Sequence, residues 1–292
     1  MILLLGHTGY VGSAFARLLE RGGHAYRGVS RRDVDYTDRA ALTRLIAETR
    51  PTFLINAAGY IGKPNVDACE LHKAECLAGN AVLPGMIREV CEAAGLPWGH
   101  VSSGCIYTGR RADGGGFTET DPPNFSFRTD NCSFYSGCKA LGEECLQGSE
   151  STYLWRLRIP FNHEDSPRNY LSKLLRYQRL LDAENSISHL EEFVAACFEC
   201  WQRRVPYGIY NVTNTGSVTT KQVTELIKKH LEPAKQFEFF ESEATFMQTA
   251  AKTPRSNCVM DNSKLLATGI NMSPVEDAIA ASLKNWKKEA VG

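Results

Sequence analysis

Residues 2–12 read Ile2-Leu3-Leu4-Leu5-Gly6-His7-Thr8-Gly9-Tyr10-Val11-Gly12. A short apolar run, the length of a buried strand, ends at Gly6, and Gly12–Arg21 has helical composition until Gly22-Gly23 stops it. Glycines between a strand and a helix permit a tight turn. They also let the backbone approach a pyrophosphate, which then rests on the free N–H groups of the helix N-terminus. Gly6, Gly9, Tyr10, Val11 and Gly12 are therefore expected to cradle a dinucleotide, a reading that their place between strand and helix supports more than the glycines themselves.

Further along, the alternation continues. His24–Ser30 reads as a second strand, Arg39–Thr49 as a helix before Pro51, and Phe53–Ala58 as a third strand. Ala74–Ala94 is mostly helical, Trp98–Ser102 a strand, Phe134–Leu146 a helix and Tyr153–Ile159 a strand, with Ile209–Val212 as a late return. This order implies an α/β fold with a doubly wound parallel sheet. The expected dinucleotide-binding domain takes residues 1–160 and 190–220. A smaller interleaved C-terminal substrate-binding domain takes 161–189 and 221–292. The end of the second strand should lie beside the adenosine ribose, and there Arg31 and Arg32 suit a 2′-phosphate. NADP is the expected cofactor; Asp33 or Asp35 beside an unphosphorylated ribose would leave room for NAD.

Composition sets the class. The 292 residues carry 33 Lys plus Arg against 33 Asp plus Glu, a formal net charge of zero, with 43% apolar residues. There is ample core material and no basic tract, which argues against nucleic acid as a partner. The opening apolar run is too short for a signal sequence or membrane span, so the expectation is a cytoplasmic protein without a membrane partner. The ten cysteines show no framework spacing; Cys197 and Cys200, the single C-x-x-C, lie in helical spacing and read as core thiols, and no metal site is expected.

Tyr135 and Lys139 stand four apart on a helix, and Ser103 ends a strand upstream. A lysine ammonium beside a phenol is expected to lower its pKa so that it trades a proton near neutrality, while a serine hydroxyl holds the same carbonyl oxygen. Such a trio serves hydride transfer between a nicotinamide and a carbonyl or alcohol. Cys105, two residues beyond Ser103, would point the same way along an extended segment, although a small buried cysteine is the commoner outcome.

The glycine turn, Asn56-Ala57-Ala58-Gly59, Ser103 and Tyr135/Lys139 together resemble the extended short-chain dehydrogenase/reductase superfamily, with its Rossmann fold. Within it the chain is similar to the dTDP-4-dehydrorhamnose reductase branch. The likeness is strongest to the bifunctional epimerase-reductases that turn UDP-4-keto-6-deoxyglucose into UDP-rhamnose. It rests on Gly62-Lys63-Pro64-Asn65-Val66-Asp67, Gly104-Cys105-Ile106, Pro122–Phe125, Phe134-Tyr135-Ser136, Arg156–Pro160, Pro167-Arg168-Asn169-Tyr170 and Pro254-Arg255-Ser256-Asn257. Ser103 is often Thr in that family. The resemblance implies an isomerase as well as an oxidoreductase, acting in rhamnose biosynthesis. It implies that Ala57, Ala58, Gly59 and Lys139 hold the cofactor and that Asn80 supports the catalytic helix. Lys63, Asn65, Arg168, Asn169, Arg255 and Asn257 would handle the nucleotide diphospho-sugar, and Cys105 with Lys173 would be the acid–base pair of 3,5-epimerisation. A homodimer is compatible with it. The competing readings are a 4-ketoreductase alone, a 4-epimerase or dehydratase of the same superfamily, and a non-catalytic regulatory subunit on this fold. Gly104-Cys105, where a dehydratase carries Asp-Glu, argues against the dehydratase; the intact Ser103, Tyr135 and Lys139 argue against the regulatory subunit.

Overall fold

Leu3 and Leu5 feed one apolar layer and Ile2 and Leu4 the opposite one, and all four are buried. A strand without a solvent face belongs in the middle of a parallel sheet covered on both sides. The computed structural model, which describes residues 1–63 and 65–288, shows that sheet; Pro64 and the end of the 221–292 segment lie outside the described residues. Its strands are β1 (Ile2–Leu5), β2 (Tyr26–Val29), β3 (Phe53–Asn56), β4 (Trp98–Ser103), β5 (Thr152–Leu157) and a sixth, Gly208–Asn211. All neighbours pair in parallel, in the order β2-β1-β3-β4-β5 and then Gly208–Asn211. The winding reverses between β1 and β3, so a crevice opens there beyond the carboxyl ends of the strands.

The helices of the described residues are α1 (Tyr10–Arg21), α2 (Arg39–Thr49), α3 (Lys73–Leu77), α4 (Leu83–Ala93), α5 (Phe134–Glu144), α6 (Tyr170–Arg176), α7 (Leu190–Gln202), α8 (Thr220–His230), α9 (Glu243–Thr249), α10 (Ser263–Ala267) and α11 (Val275–Lys284). Phe15 and Leu19 of α1 and Phe193, Cys197 and Phe198 of α7 cover one face. Leu42, Leu45 and Ile46 of α2 and Ile87, Val90 and Cys91 of α4 cover the other. Cys197 and Cys200 are fully buried in the first of these layers. A third core stands apart, built from Phe161, Leu171, Leu174, Ile187, Val223, Ile227, Ile279 and Leu283 among others. Between its contributions the chain returns to the sheet, where Leu265, Ile270 and Met272 join the α1/α7 layer.

The second strand is shorter than His24–Ser30 and the third stops at Asn56 rather than Ala58; two further departures from the expected outline have a clear physical cause. The single helix over Ala74–Ala94 is interrupted by a π-turn at Ala78–Val82. Pro84 starts a new helix, and the Asn80 amide hydrogen-bonds the Cys76 carbonyl, so the regular ladder gives way there. The strand expected to reach Ile159 stops at Leu157, because Ile159 sits at φ +36° before Pro160. A β-branched residue in that region is strained. Among the described residues no helix is long and apolar enough to cross a membrane.

Candidate active site

Gly6 holds φ +75°, and a Cβ there would stand 2.8 Å from the Ala58 nitrogen; a Cβ on Gly12 would stand 2.1 Å from the Gly6 carbonyl oxygen. Neither position admits a side chain, so the turn is folded tightly against the loop after β3. Helix α1 begins after Gly9 with no side-chain cap and no acidic residue in its first turn. Its free N–H groups are open to an anion. The His7 imidazole packs over Gly28, and its Nδ1 is buried without a hydrogen-bond partner. A cradle that a single methyl would fill, with unspent donors, fits a dinucleotide pyrophosphate.

Gly9, Tyr10, Val11, Ala57, Ala58 and Gly59 line a cleft of about 1120 Å³ together with Ser103, Tyr135 and Lys139. Gly6 and Gly12 shape the turn from behind and do not form its wall. Arg31 and Arg32 are exposed outside the cleft, and neither has an ion pair among the described residues. The neighbouring carboxylates are already engaged. Asp33 accepts from the Ser30 N–H (2.8 Å) and hydroxyl (2.7 Å), and Asp35 accepts from the Thr37 N–H (3.1 Å). These bonds hold both carboxyl groups below their ordinary range.

Asn80 is fully buried behind the cleft. It donates to the Tyr60 carbonyl (2.7 Å) and to that of Cys76 (3.0 Å), and accepts from the Tyr60 N–H (3.3 Å). It thus fastens the loop after Gly59 to the π-turn on which α5 rests.

Ser133 caps α5 through the Ser136 N–H (3.2 Å) and sets where Tyr135 and Lys139 emerge. One turn later Glu143 receives Arg156 at 2.7 Å and the Ser102 hydroxyl at 2.7 Å, which ties α5 to β5 and β4. Lys139 reaches Gly59, with Nζ 3.6 Å from where a Cβ there would stand. The electrostatics correct the simple expectation for Tyr135. Burial, with the neighbouring Cys105, Cys69 and Cys76 thiols adding to it, holds its phenol well above the ordinary value, against the opposing pull of the Ser103 hydroxyl. Lys139 is itself pushed down by burial, against the pull of Cys105 and Glu143. The phenol is therefore kept as a proton donor, the form that a reduction consumes.

A smaller chamber of about 390 Å³ continues the cleft past Ser103 and Tyr135, and Cys105 and Lys173 both line it. Cys105 is not aimed by strand alternation: Gly104–Ile106 is a 3-10 turn, and the Cys105 N–H donates to Ser103 Oγ (3.2 Å). Burial pushes its thiol up, while the hydroxyls of Ser103 and Ser136 and the charges of Arg158 and Lys139 pull it down. Burial lowers Lys173, and repulsion from Arg168 and Arg255 lowers it further.

The expected substrate residues divide. Asn65, Arg168 and Arg255 line the cleft, and Asn257 lines the chamber. Arg255 is held by Asp67 at 2.7 Å, which joins the loop after Gly62 to the Pro254–Asn257 stretch. Lys63 is exposed and outside both walls. Asn169 corrects its expectation. Fully buried, it caps α6 through the Leu171 N–H (3.0 Å) and donates to the carbonyls of Asn162 (2.8 Å) and Glu164 (2.7 Å), so it has nothing left for a sugar. Arg158, Arg176, Arg179, Phe240 and Phe246 were not foreseen, yet they also form the walls. Arg158 lies in the Arg156–Pro160 stretch already singled out. The others come from segments whose only signal is basic residues interspersed with aromatic ones. In all, the two walls carry Lys139, Arg158, Arg168, Lys173, Arg176, Arg179 and Arg255, and among the described residues no carboxylate.

Comparison with known proteins gives four findings. The family model described as the RmlD substrate binding domain matches residues 1–288. A bifunctional dTDP-4-dehydrorhamnose 3,5-epimerase/dTDP-4-dehydrorhamnose reductase of Arabidopsis thaliana is 34% identical over 268 residues, 90% of this chain and 85% of that protein. A trifunctional UDP-glucose 4,6-dehydratase/UDP-4-keto-6-deoxy-D-glucose 3,5-epimerase/UDP-4-keto-L-rhamnose-reductase of the same plant is 34% identical over 283 residues. That match takes 95% of this chain and 41% of the relative, so the chain spans well under half of the trifunctional protein. The crystal structure of the L780 UDP-rhamnose synthase from Acanthamoeba polyphaga mimivirus has the same fold, with a TM-score of 0.90 at 24% identity, covering 97% of this chain and 98% of that one.

Proposed function

Since the chain belongs to the RmlD substrate binding domain family, we propose that it is an NADPH-dependent enzyme that reduces a nucleotide-linked 4-keto-6-deoxy sugar. We infer that it couples this to 3,5-epimerisation, giving a nucleotide-L-rhamnose-type product. The observation that carries the reading is the convergence of Ser103, Tyr135, Lys139, Cys105 and Lys173 on one continuous cleft with cationic walls. Such walls suit a diphosphate, because guanidinium groups bind phosphate oxygens in pairs.

The residues would act as follows. The glycine turn and Ala57–Gly59 would hold the dinucleotide, and Lys139 its nicotinamide ribose. Bound NADPH supplies a hydride. Tyr135 passes its phenolic proton to the carbonyl oxygen while Ser103 donates a hydrogen bond to the same atom. For epimerisation the 4-keto group acidifies the C3 and C5 protons. One member of the Cys105/Lys173 pair takes such a proton, the C–H electron pair passing into an enolate held by Ser103 and Tyr135. The other member returns a proton to the opposite face. With Asp33 and Asp35 engaged by their own turn, Arg31 and Arg32 are the groups left for a ribose 2′-phosphate, which supports NADPH over NADH. The sheet layers would hold the cofactor and the third core would carry the sugar-nucleotide side. Ten free cysteines suit a reducing, cytoplasmic setting.

Reductase activity alone is the competing reading, favoured by the raised Cys105 thiol. The test is to supply UDP- and dTDP-4-keto-6-deoxyglucose with NADPH or NADH in deuterated water, following the nicotinamide absorbance and the product by NMR. Oxidation of NADPH with deuterium at C3 and C5 is the expected result. Oxidation without deuterium leaves the reductase alone, and no oxidation with either sugar overturns the reading.

A further inference from the structure

Two buried arginines lie at the end of β5, two residues apart, and only one is neutralised. Arg156, 2% exposed, is ion-paired with Glu143 at 2.7 Å. Arg158, 5% exposed, has no acidic partner among the described residues. Its Nη2 donates to two neutral oxygens, Asn185 Oδ1 and the Ser256 carbonyl, and its Nε is buried with no partner at all. A guanidinium out of water with no counter-anion is costly. It therefore marks a place where negative charge forms during function. Arg158 lines the smaller chamber with Cys105, and its Cδ passes 3.4 Å from where a Cβ on the adjoining Gly104 would stand.

We propose that Arg158 is a positioning residue, the fixed positive charge that steadies Cys105 as an anion while it carries a proton to and from the sugar. This role rests on the epimerase half of the function proposed above. The titratable groups around Cys105 come from several elements. Tyr135 and Lys139 come from α5, Tyr170 and Lys173 from α6, Arg179 from the segment after it, Arg255 from the segment after α9 and Cys132 from the loop before α5; no carboxylate lines the chamber among the described residues. Of the other cations, Arg255 is paired with Asp67 and Arg179 with Glu238, Lys139 is also drawn to Glu143, and burial together with repulsion from Arg168 and Arg255 makes Lys173 give up its proton more readily. Arginine as a residue type stays charged in proteins, and Arg158 is the guanidinium of this chamber with no acidic partner among the described residues. It supports the thiolate that burial alone would suppress.

The test reads the thiol directly. Alkylation of Cys105 by iodoacetamide is followed against pH by peptide mass spectrometry in wild type, Arg158→Gln and Arg158→Lys. Exchange of the C3 and C5 protons of UDP-4-keto-6-deoxyglucose with deuterated water is measured beside it. In Arg158→Gln the alkylation midpoint moves up by about one pH unit, so the rate near neutrality falls about tenfold, and exchange falls with it. Arg158→Lys keeps the charge but not the paired geometry, and stays near the wild-type profile. A lysine variant displaced as far as the glutamine variant would assign Arg158 to packing and overturn the proposal. Exchange in wild type with superimposable alkylation profiles for all three proteins removes this role alone. No exchange in wild type removes the epimerase reading and this role together.

Discussion

Tyr135 and Cys105 share one chamber, and the roles proposed for them can be tested separately. Replacing Tyr135 by Phe removes the proton that the carbonyl oxygen receives while leaving the ring against the thiols behind it. We expect reduction to fall roughly 10²–10⁴-fold with NADPH affinity retained, measured by nicotinamide turnover and cofactor titration; near wild-type turnover would take Tyr135 out of the mechanism. Cys105→Ser fills nearly the same volume with a far weaker acid. It should abolish deuterium exchange at C3 and C5 yet still reduce a 4-keto sugar that already has the inverted configuration; wild-type exchange would make this cysteine a packing residue. Both side chains were legible in the sequence as identities, though not as environments. The phenol is governed by burial rather than by Lys139, and the thiol is aimed by a 3-10 turn that no alternation rule foresees. Asn169 misled for a related reason: a motif residue that caps a helix looks, in sequence, like one that binds a ligand.

The elements that announce themselves by local chemistry were legible almost to the residue. β1 was read as Ile2–Leu5 and α2 as Arg39–Thr49, and both stand so, the first fixed by an apolar run against glycine and the second by its Asp38 cap and the following Arg50 in the left-handed region. What stayed hidden depends on contacts far away in sequence. Pro84 marks locally that the helix breaks, but the buried Asn80 of the π-turn also bonds Tyr60, twenty residues away, which no local pattern records. Two element-level expectations follow. At the end of β2, changing both Arg31 and Arg32 to Ala should weaken NADPH more than NADH in binding titrations; unchanged affinities for the two would remove these arginines from cofactor choice. In α5, Glu143→Ala leaves the Arg156 charge buried and unpaired. The expected loss is about 3–5 kcal/mol, read from the shift in the denaturant midpoint; a midpoint within error of wild type would show that the pair does not anchor the helix.

Over the whole molecule the net charge of zero conceals a segregated distribution, with seven cations and no carboxylate on the two cavity walls of the described residues. A wall of one sign draws an anionic substrate from beyond contact, an effect that salt screens within about 8–10 Å at ordinary ionic strength. Raising salt from about 50 mM to about 500 mM should therefore lower kcat/KM severalfold and leave kcat nearly unchanged; equal losses in both would place the effect on the chemistry. The third core has a consequence of another kind. It gathers its side chains from Phe161 to Ile187, from Val218 to Ile227 and from Val275 to Leu283, and between the last two the chain goes back to complete the α1/α7 layer with Leu265, Ile270 and Met272. A nascent polypeptide leaves the ribosome from its N-terminus, so the glycine turn and all six strands are free to assemble while the ceiling over them is still unmade. A protein synthesised only to about residue 250 would hold Tyr135 and Lys139 yet expose the undersides of two unfinished cores. For this chain, protection from aggregation waits on Leu265–Leu283, which close both cores long after the residues proposed for catalysis have been made.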